Sequence, residues 1–158
     1  MNSFAYIVEL YRFNTVTFYT VKRPDGKTEA DIFVQKISAL PLFKQQFDEL
    51  LAWMEYIGNS QEGAEQELLR PEGLCVALPP PATQLQSPIE IRWYCYWINE
   101  QNVIMFNGGI KTARTAQQCP NVKQHFFDGQ NWANQLNEIE IFTNGQNISN
   151  LDELYFEY

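Results

Sequence analysis

The stretch from Ile89 to Phe106 constrains this chain more than any other. From Ile89 to Ile98 the residues alternate, with Ile89, Ile91, Trp93, Cys95 and Trp97 on one side and Glu90, Arg92, Tyr94, Tyr96 and Ile98 on the other. A repeat of two is that of a β-strand, so the segment predicts a strand with two chemically distinct faces. Asn99-Glu100-Gln101-Asn102 supplies turn residues, and Val103-Ile104-Met105-Phe106 supplies a second apolar run. Together they predict a hairpin. Asn107-Gly108-Gly109 is then expected to bend the backbone, ahead of Lys111 and Arg114.

The rest of the chain supplies partners for that hairpin. Phe4 to Val21 is rich in β-branched and aromatic residues and breaks at Asn14-Thr15, which predicts a strand or strand pair. Arg23-Pro24-Asp25-Gly26-Lys27 reads as a turn. Thr28 then reads as a helix cap, with Ile32, Phe33, Lys36 and Ile37 on a short helix. Phe43, Phe47, Leu50, Leu51, Met54 and Ile57 form one apolar stripe at helical spacing, with Pro41 in the opening turn. Gly58-Asn59 is expected to end that helix with a left-handed cap. Two helices joined so briefly should lie antiparallel. Leu68 to Leu78 reads as a turn and short strand, and Pro79-Pro80-Pro81 as a loop or sheet edge. After Pro120-Asn121 comes a helix carrying Val122, Phe126 and Phe127, with Gly129 as an interruption. Asn144-Gly145 is a hairpin turn signal that could join a strand at Ile139–Phe142 to a short partner, and Leu154-Tyr155-Phe156 is a last apolar anchor. The fold class expected from these elements is α+β.

Composition narrows the functional classes. The length of 158 residues suits one domain, and the 15% aromatic share argues for a packed core. No apolar run reaches the roughly 18 residues of a membrane span, and the N-terminus lacks a signal-type pattern, so a cytoplasmic location without membrane contact is expected. The three cysteines, Cys75, Cys95 and Cys119, are odd in number and far apart, which disfavours a disulfide framework. With one histidine and no CxxC, neither a metal nor a cofactor is expected. The net charge of −8 opposes a general nucleic-acid binder. Its distribution is uneven, however. Gln101 to Phe127 contains no acidic residue but holds Lys111, Arg114 and Lys123, whereas Glu138 to Tyr158 contains five acidic residues and no Lys or Arg.

The recognised catalytic motifs for serine hydrolysis, phosphate loops, dinucleotide folds and zinc proteases are absent from the sequence. What remains is the run Ile89 to Thr115, which puts Arg92, Tyr94 and Tyr96 on one strand face and delivers Lys111 and Arg114 after the hairpin. Guanidinium and ammonium groups bind phosphate, and tyrosine rings offer stacking platforms for unpaired bases. The bland alternative has the tyrosines packed under a helix and the cations solvated. Lys123 and His125 follow on the next helix, with His125 a candidate general base.

This run resembles the phage-derived RelE/HigB-like toxin family. Val103 to Gly109 stands for that family's second hydrophobic strand, and Ile110-Lys111-Thr112-Ala113-Arg114-Thr115 for its basic turn. The chain also looks like a group of Bacteroidetes proteins sharing an NGGIKT segment. The toxin resemblance covers about 28–135, leaving 1–27 and 138–158 as additions within one domain. It implies an antiparallel curved sheet packed against an N-terminal helix pair, with the N-terminal strand segment and the acidic C-terminal extension as extras, and also ribosome-dependent endoribonuclease action on mRNA and a partner antitoxin. Arg92, Lys111 and Arg114 would be the catalytic cations, with Tyr94, Tyr96, Lys123 and His125 contacting the substrate. Two other readings stand beside it. One is a non-catalytic protein-interaction module on the same fold, which the acidic balance favours. The other is a small-ligand enzyme with a site between sheet and helix that uses His125.

Overall fold

A computed structural model describes residues 4–80, 89–111, 119–120, 122–139 and 155–157. The chain opens with β1 (Phe4–Arg12) and β2 (Thr17–Lys22). Helices α1 (Glu29–Ser38) and α2 (Lys44–Asn59) follow. Then come β3 (Arg70–Glu72), β4 (Cys75–Leu78), β5 (Ile91–Asn99) and β6 (Asn102–Ile110). Helix α3 (Lys123–Ile139) and β7 (Tyr155–Glu157) complete the described elements. The fold is α+β, as expected, and the strands form one sheet in the order β3-β4-β5-β6-β2-β1-β7.

The sheet is mixed rather than antiparallel. β2 runs parallel to β6, with Thr17 opposite Asn102 and Thr20 opposite Met105, while the other pairings are antiparallel. The segment taken from sequence as an N-terminal addition therefore supplies a strand bonded on both sides, and the helix pair follows two strands rather than opening the fold. Pairing of β1 with β7 carries the last described residues to the edge opposite β3.

Both faces of the sheet are covered. The first face meets α1 and α2, where Phe18, Phe33, Leu50, Met54, Trp93, Val103 and Met105 form one apolar cluster. The indole of Trp93 stacks on Phe33 at 4.5 Å, and full burial of such a side chain is worth roughly 1.5–3 kcal/mol. The second face meets α3, where Tyr19, Tyr94, Ile104, Phe106, Phe126, Trp132 and Leu136 form another. The alternation read along Ile89–Ile98 is the division between these clusters: Trp93 and Cys95 belong to the first, Tyr94 to the second. A strand covered on both faces reads as a near-continuous apolar run, and β6 is buried from Asn102 to Gly109.

Three local expectations change, and a fourth falls mostly outside the described residues. Gly58 lies inside α2 without a positive φ, and Ser60 caps the helix. A Cβ at Gly58 would collide with the ring of Phe13, so close packing and not chain reversal calls for glycine. β6 continues through Asn107-Gly108-Gly109 instead of bending away. The disturbance there is a β-bulge, in which Phe106 and Asn107 face the single residue Tyr94. A Cβ on Gly108 would strike the carbonyl oxygen of Arg92 on the neighbouring strand. Gly129 does not interrupt α3, which runs past it and packs so closely that a Cβ there would lie 3.3 Å from Cys75 Sγ. The turn expected at Asn144-Gly145 and most of the strand expected at Ile139–Phe142 lie outside the described residues, while Ile139 itself ends α3.

Candidate functional site

β2 and β6 lie side by side and point the same way, yet the helices that follow them go to opposite faces of the sheet. Parallel strands whose connections part in this manner leave a crevice beyond their carboxyl ends, the usual ligand position in open α/β sheets. Here the last rung is Thr20–Met105. Past it, Thr20 Oγ1 donates to Met105 O at 2.9 Å and accepts from Ala30 N, which draws the first turn of α1 against the strand end. Thr28 caps that helix by accepting from Asp31 N at 3.0 Å, as its sequence pattern indicates.

Where such a crevice is expected, the structure packs a chain of polar side chains. Glu29, in the first turn of α1, is only 1% exposed. Its carboxylate accepts from Arg23 Nε at 2.5 Å and Arg23 Nη2 at 3.3 Å, and from Asn107 Nδ2 at 3.0 Å. Burial of such an ion tends to be tolerated only when its lone pairs are taken up, and here they are. Asn107, 2% exposed, turns its Oδ1 to Gly108 N at 2.8 Å and to Lys36 Nζ at 3.4 Å. The bulge in β6 is what aims Asn107 at α1.

Lys36 completes the chain. Its Nζ donates to Gly108 O at 2.5 Å and lies 3.0 Å from His125 Nε2 on the first turn of α3. The ammonium thus ties a helix on one face to a helix on the other across the end of β6. Burial lowers the Lys36 pKa, with Glu29 opposing and Arg23 assisting. Burial also brings His125 down to about 4, with Lys36 adding to the fall and Glu29 opposing it. His125 is therefore neutral at pH 7, and its Nε2 accepts from the lysine, which leaves the ring proton on Nδ1. Asp128, one turn further along α3, is raised by burial and by Glu29. The arrangement presents a proton donor and a neutral base in contact.

The residues singled out from sequence do not gather in one place. His125 belongs to the crevice. Arg92, Lys111 and Tyr94 lie toward the other neighbour of β6. The Nη1 of Arg92 donates to Ile89 O at 2.6 Å and Ile91 O at 3.0 Å, so this cation is folded back on its own strand. Lys111 follows β6 and anchors its backbone N–H on Glu90 O at 2.7 Å. Tyr94 is 0% exposed and meets Phe126 edge-on at 6.0 Å, so the open ring face that a stacked base would need is occupied. Tyr96 is half-buried against the same cluster. Lys123 opens α3 on the surface, and Arg114 lies outside the described residues.

Lys36, Glu29, Asn107 and Arg23 were not found from sequence as site residues. Only the cap Thr28 and the expected bend at Asn107-Gly108-Gly109 hinted at the place where they gather. No group of three or more metal-ligating side chains occurs among the described residues, and no helix there is long and apolar enough to cross a membrane. Comparison with family models, curated proteins and solved structures returns no match.

Proposed function

We propose that the chain binds a small polar molecule at the carboxyl ends of β2 and β6 and moves a proton on it through the Lys36–His125 pair. The observation that carries this reading is the 3.0 Å approach of Lys36 Nζ to His125 Nε2 at the point where the two helices part. Burial lowers the Lys36 pKa, so its ammonium gives up a proton more readily than a free one, and it keeps His125 neutral at pH 7 with a lone pair facing that ammonium. Asn107 and the Gly108 carbonyl orient the ammonium, and Glu29 with Arg23 fixes Asn107.

The test is a thermal-shift screen of small metabolites against the wild type, Lys36→Met and His125→Gln. Compounds that stabilise the wild type and neither variant are expected. If none separates the wild type from the folded variants, the reading is lost.

A second reading keeps the RelE/HigB-like endoribonuclease, favoured by the gathering of Arg92, Lys111 and Arg70 within electrostatic range of Glu72. Induced expression in a bacterial host decides it. Growth arrest relieved by joint Arg92→Ala and Lys111→Ala substitution supports it, and normal growth of the wild-type strain counts against it.

A further inference from the structure

On the α3 side of the sheet, one group of polar side chains lies apart from the crevice. The register of β3, β4 and β5 places Arg70, Ala77 and Tyr94 in one row, with Glu72 and Cys75 in the row beside it. Arg92 stands two residues before Tyr94 and faces the same way. Three polar atoms here are buried without a hydrogen-bond partner among the described residues: Arg70 Nε, Arg92 Nε and the Tyr94 hydroxyl. All three can donate. A buried unmet donor costs roughly 1–3 kcal/mol, so three on one face need an explanation.

Their charges point the same way. Arg70 and Lys111 act with Arg92 on a single carboxylate, Glu72, and Arg70 and Arg92 repel one another. Glu90 also acts on Arg92, and three cations against these two carboxylates leave a positive excess in a partly desolvated place. Each guanidinium also holds one further nitrogen on main-chain oxygens, Arg70 Nη2 on Pro80 O at 2.9 Å and Arg92 Nη1 on Ile89 O and Ile91 O. Their positions are therefore fixed before any ligand arrives, which keeps the ordering cost of binding low.

We infer that Arg70, Arg92, Lys111 and the Tyr94 hydroxyl form a site for a phosphate-type oxyanion. An oxyanion has several acceptor lone pairs and no donor need, so it complements this set of donors, whereas a cation or a neutral apolar group does not. Glu72 at the margin offers an acceptor to a protonated phosphate oxygen. The inference stands independently of the Lys36–His125 reading, since it uses none of those residues.

The experiment is isothermal titration of the full chain with inorganic phosphate at constant ionic strength, with chloride as control. It is repeated on Tyr94→Phe and Lys111→Met. Tyr94→Phe keeps the ring and removes only the hydroxyl, so the variant should fold at least as well as the wild type. Saturable phosphate binding is expected, about tenfold weaker in each variant, as befits loss of one charge-assisted hydrogen bond. Absence of saturable binding to the wild type overturns the inference. Equal affinity in the wild type and both variants overturns it too, since it would mark an adventitious ion only. A short oligoribonucleotide forms a further arm: binding of the oligomer without binding of phosphate also overturns the inference and favours the endoribonuclease reading.

Discussion

Replacing His125 by Gln removes one titrating group from the crevice, and its effect can be worked from the surroundings of the ring. His125 faces Lys36 and Glu29 from α1 and Arg23 from the turn before α1. Its pKa falls from 6.5 to about 4 on folding, chiefly through burial. The unfolded chain therefore binds a proton at His125 before the native state does, and stability drops as pH falls below about 6.5 toward 4. At 1.36 kcal/mol per pKa unit the full effect is ~3.4 kcal/mol. The ring is half-buried, and solvent screening reduces this to about 2 kcal/mol. Urea unfolding of the wild type and His125→Gln from pH 7.5 to 4 isolates the contribution, because Asp128 and Glu72 titrate in both proteins. The wild type should lose about 2 kcal/mol more than the variant over that range. Parallel curves would show that His125 is not desolvated beside Lys36, and the proton-transfer reading would fall with it.

Glu29→Ala removes the partner of Arg23 and orphans Asn107 Nδ2, and should cost about 2–4 kcal/mol in chemical denaturation. The value sits below the top of the usual range because the Arg23 side chain is 28% exposed and can rehydrate. Gly58→Ala places a methyl group against the Phe13 ring and should destabilise by about 1–3 kcal/mol despite the better helix propensity of alanine; a stabilised variant would show that the ring gives way freely. The three cysteines form no disulfide and are buried, and burial lifts the Cys75 thiol to about 12. A disulfide reagent at pH 8 should titrate no thiol rapidly in the native protein and all three in denaturant; rapid native labelling would contradict the packing of α3 on β4.

The parts of the fold legible in the sequence are those whose determinants are local. The two-residue repeat of β5 follows from its two faces meeting different clusters, the stripe of α2 follows from burial of one face, and Thr28 announces α1 because its hydroxyl acts three residues away. The β2–β6 pairing is different. It joins Thr17–Thr20 to Asn102–Met105, and no local pattern distinguishes a parallel neighbour from an antiparallel one. One sign was available: Val103-Ile104-Met105-Phe106 carries no polar alternation, which suits a central strand covered on both faces. The crevice was less legible still. Lys36 and His125 are 89 positions apart, and Glu29 looks in sequence like an ordinary acidic residue at a helix start. Its burial comes from the Thr20 hydroxyl pulling α1 onto the strand end, a tertiary event.

The end of β6 shows why polar chemistry collects there. A strand that outruns its neighbour on one side and bulges against the other leaves main-chain carbonyls inside the protein without ladder partners, and each of these must be met. Met105 O takes the Thr20 hydroxyl, Phe106 O takes Trp93 Nε1 at 2.9 Å, and Gly108 O takes Lys36 Nζ. The sheet end is thus closed by side chains drawn from β2, β5 and α1 rather than by another strand. Side-chain donors can be exchanged for a ligand's donors without unzipping a ladder, whereas backbone donors cannot. That difference makes the Gly108 carbonyl, with Lys36 and His125 beside it, the place where a bound molecule would compete for the contacts that hold α1 to α3. Lys36→Met should therefore loosen this end selectively. Amide hydrogen exchange should quicken in the first turn of α3 and at Gly108–Ile110 while β1–β2 stays protected. Uniform change across the sheet would mean that the lysine serves global packing and not the crevice.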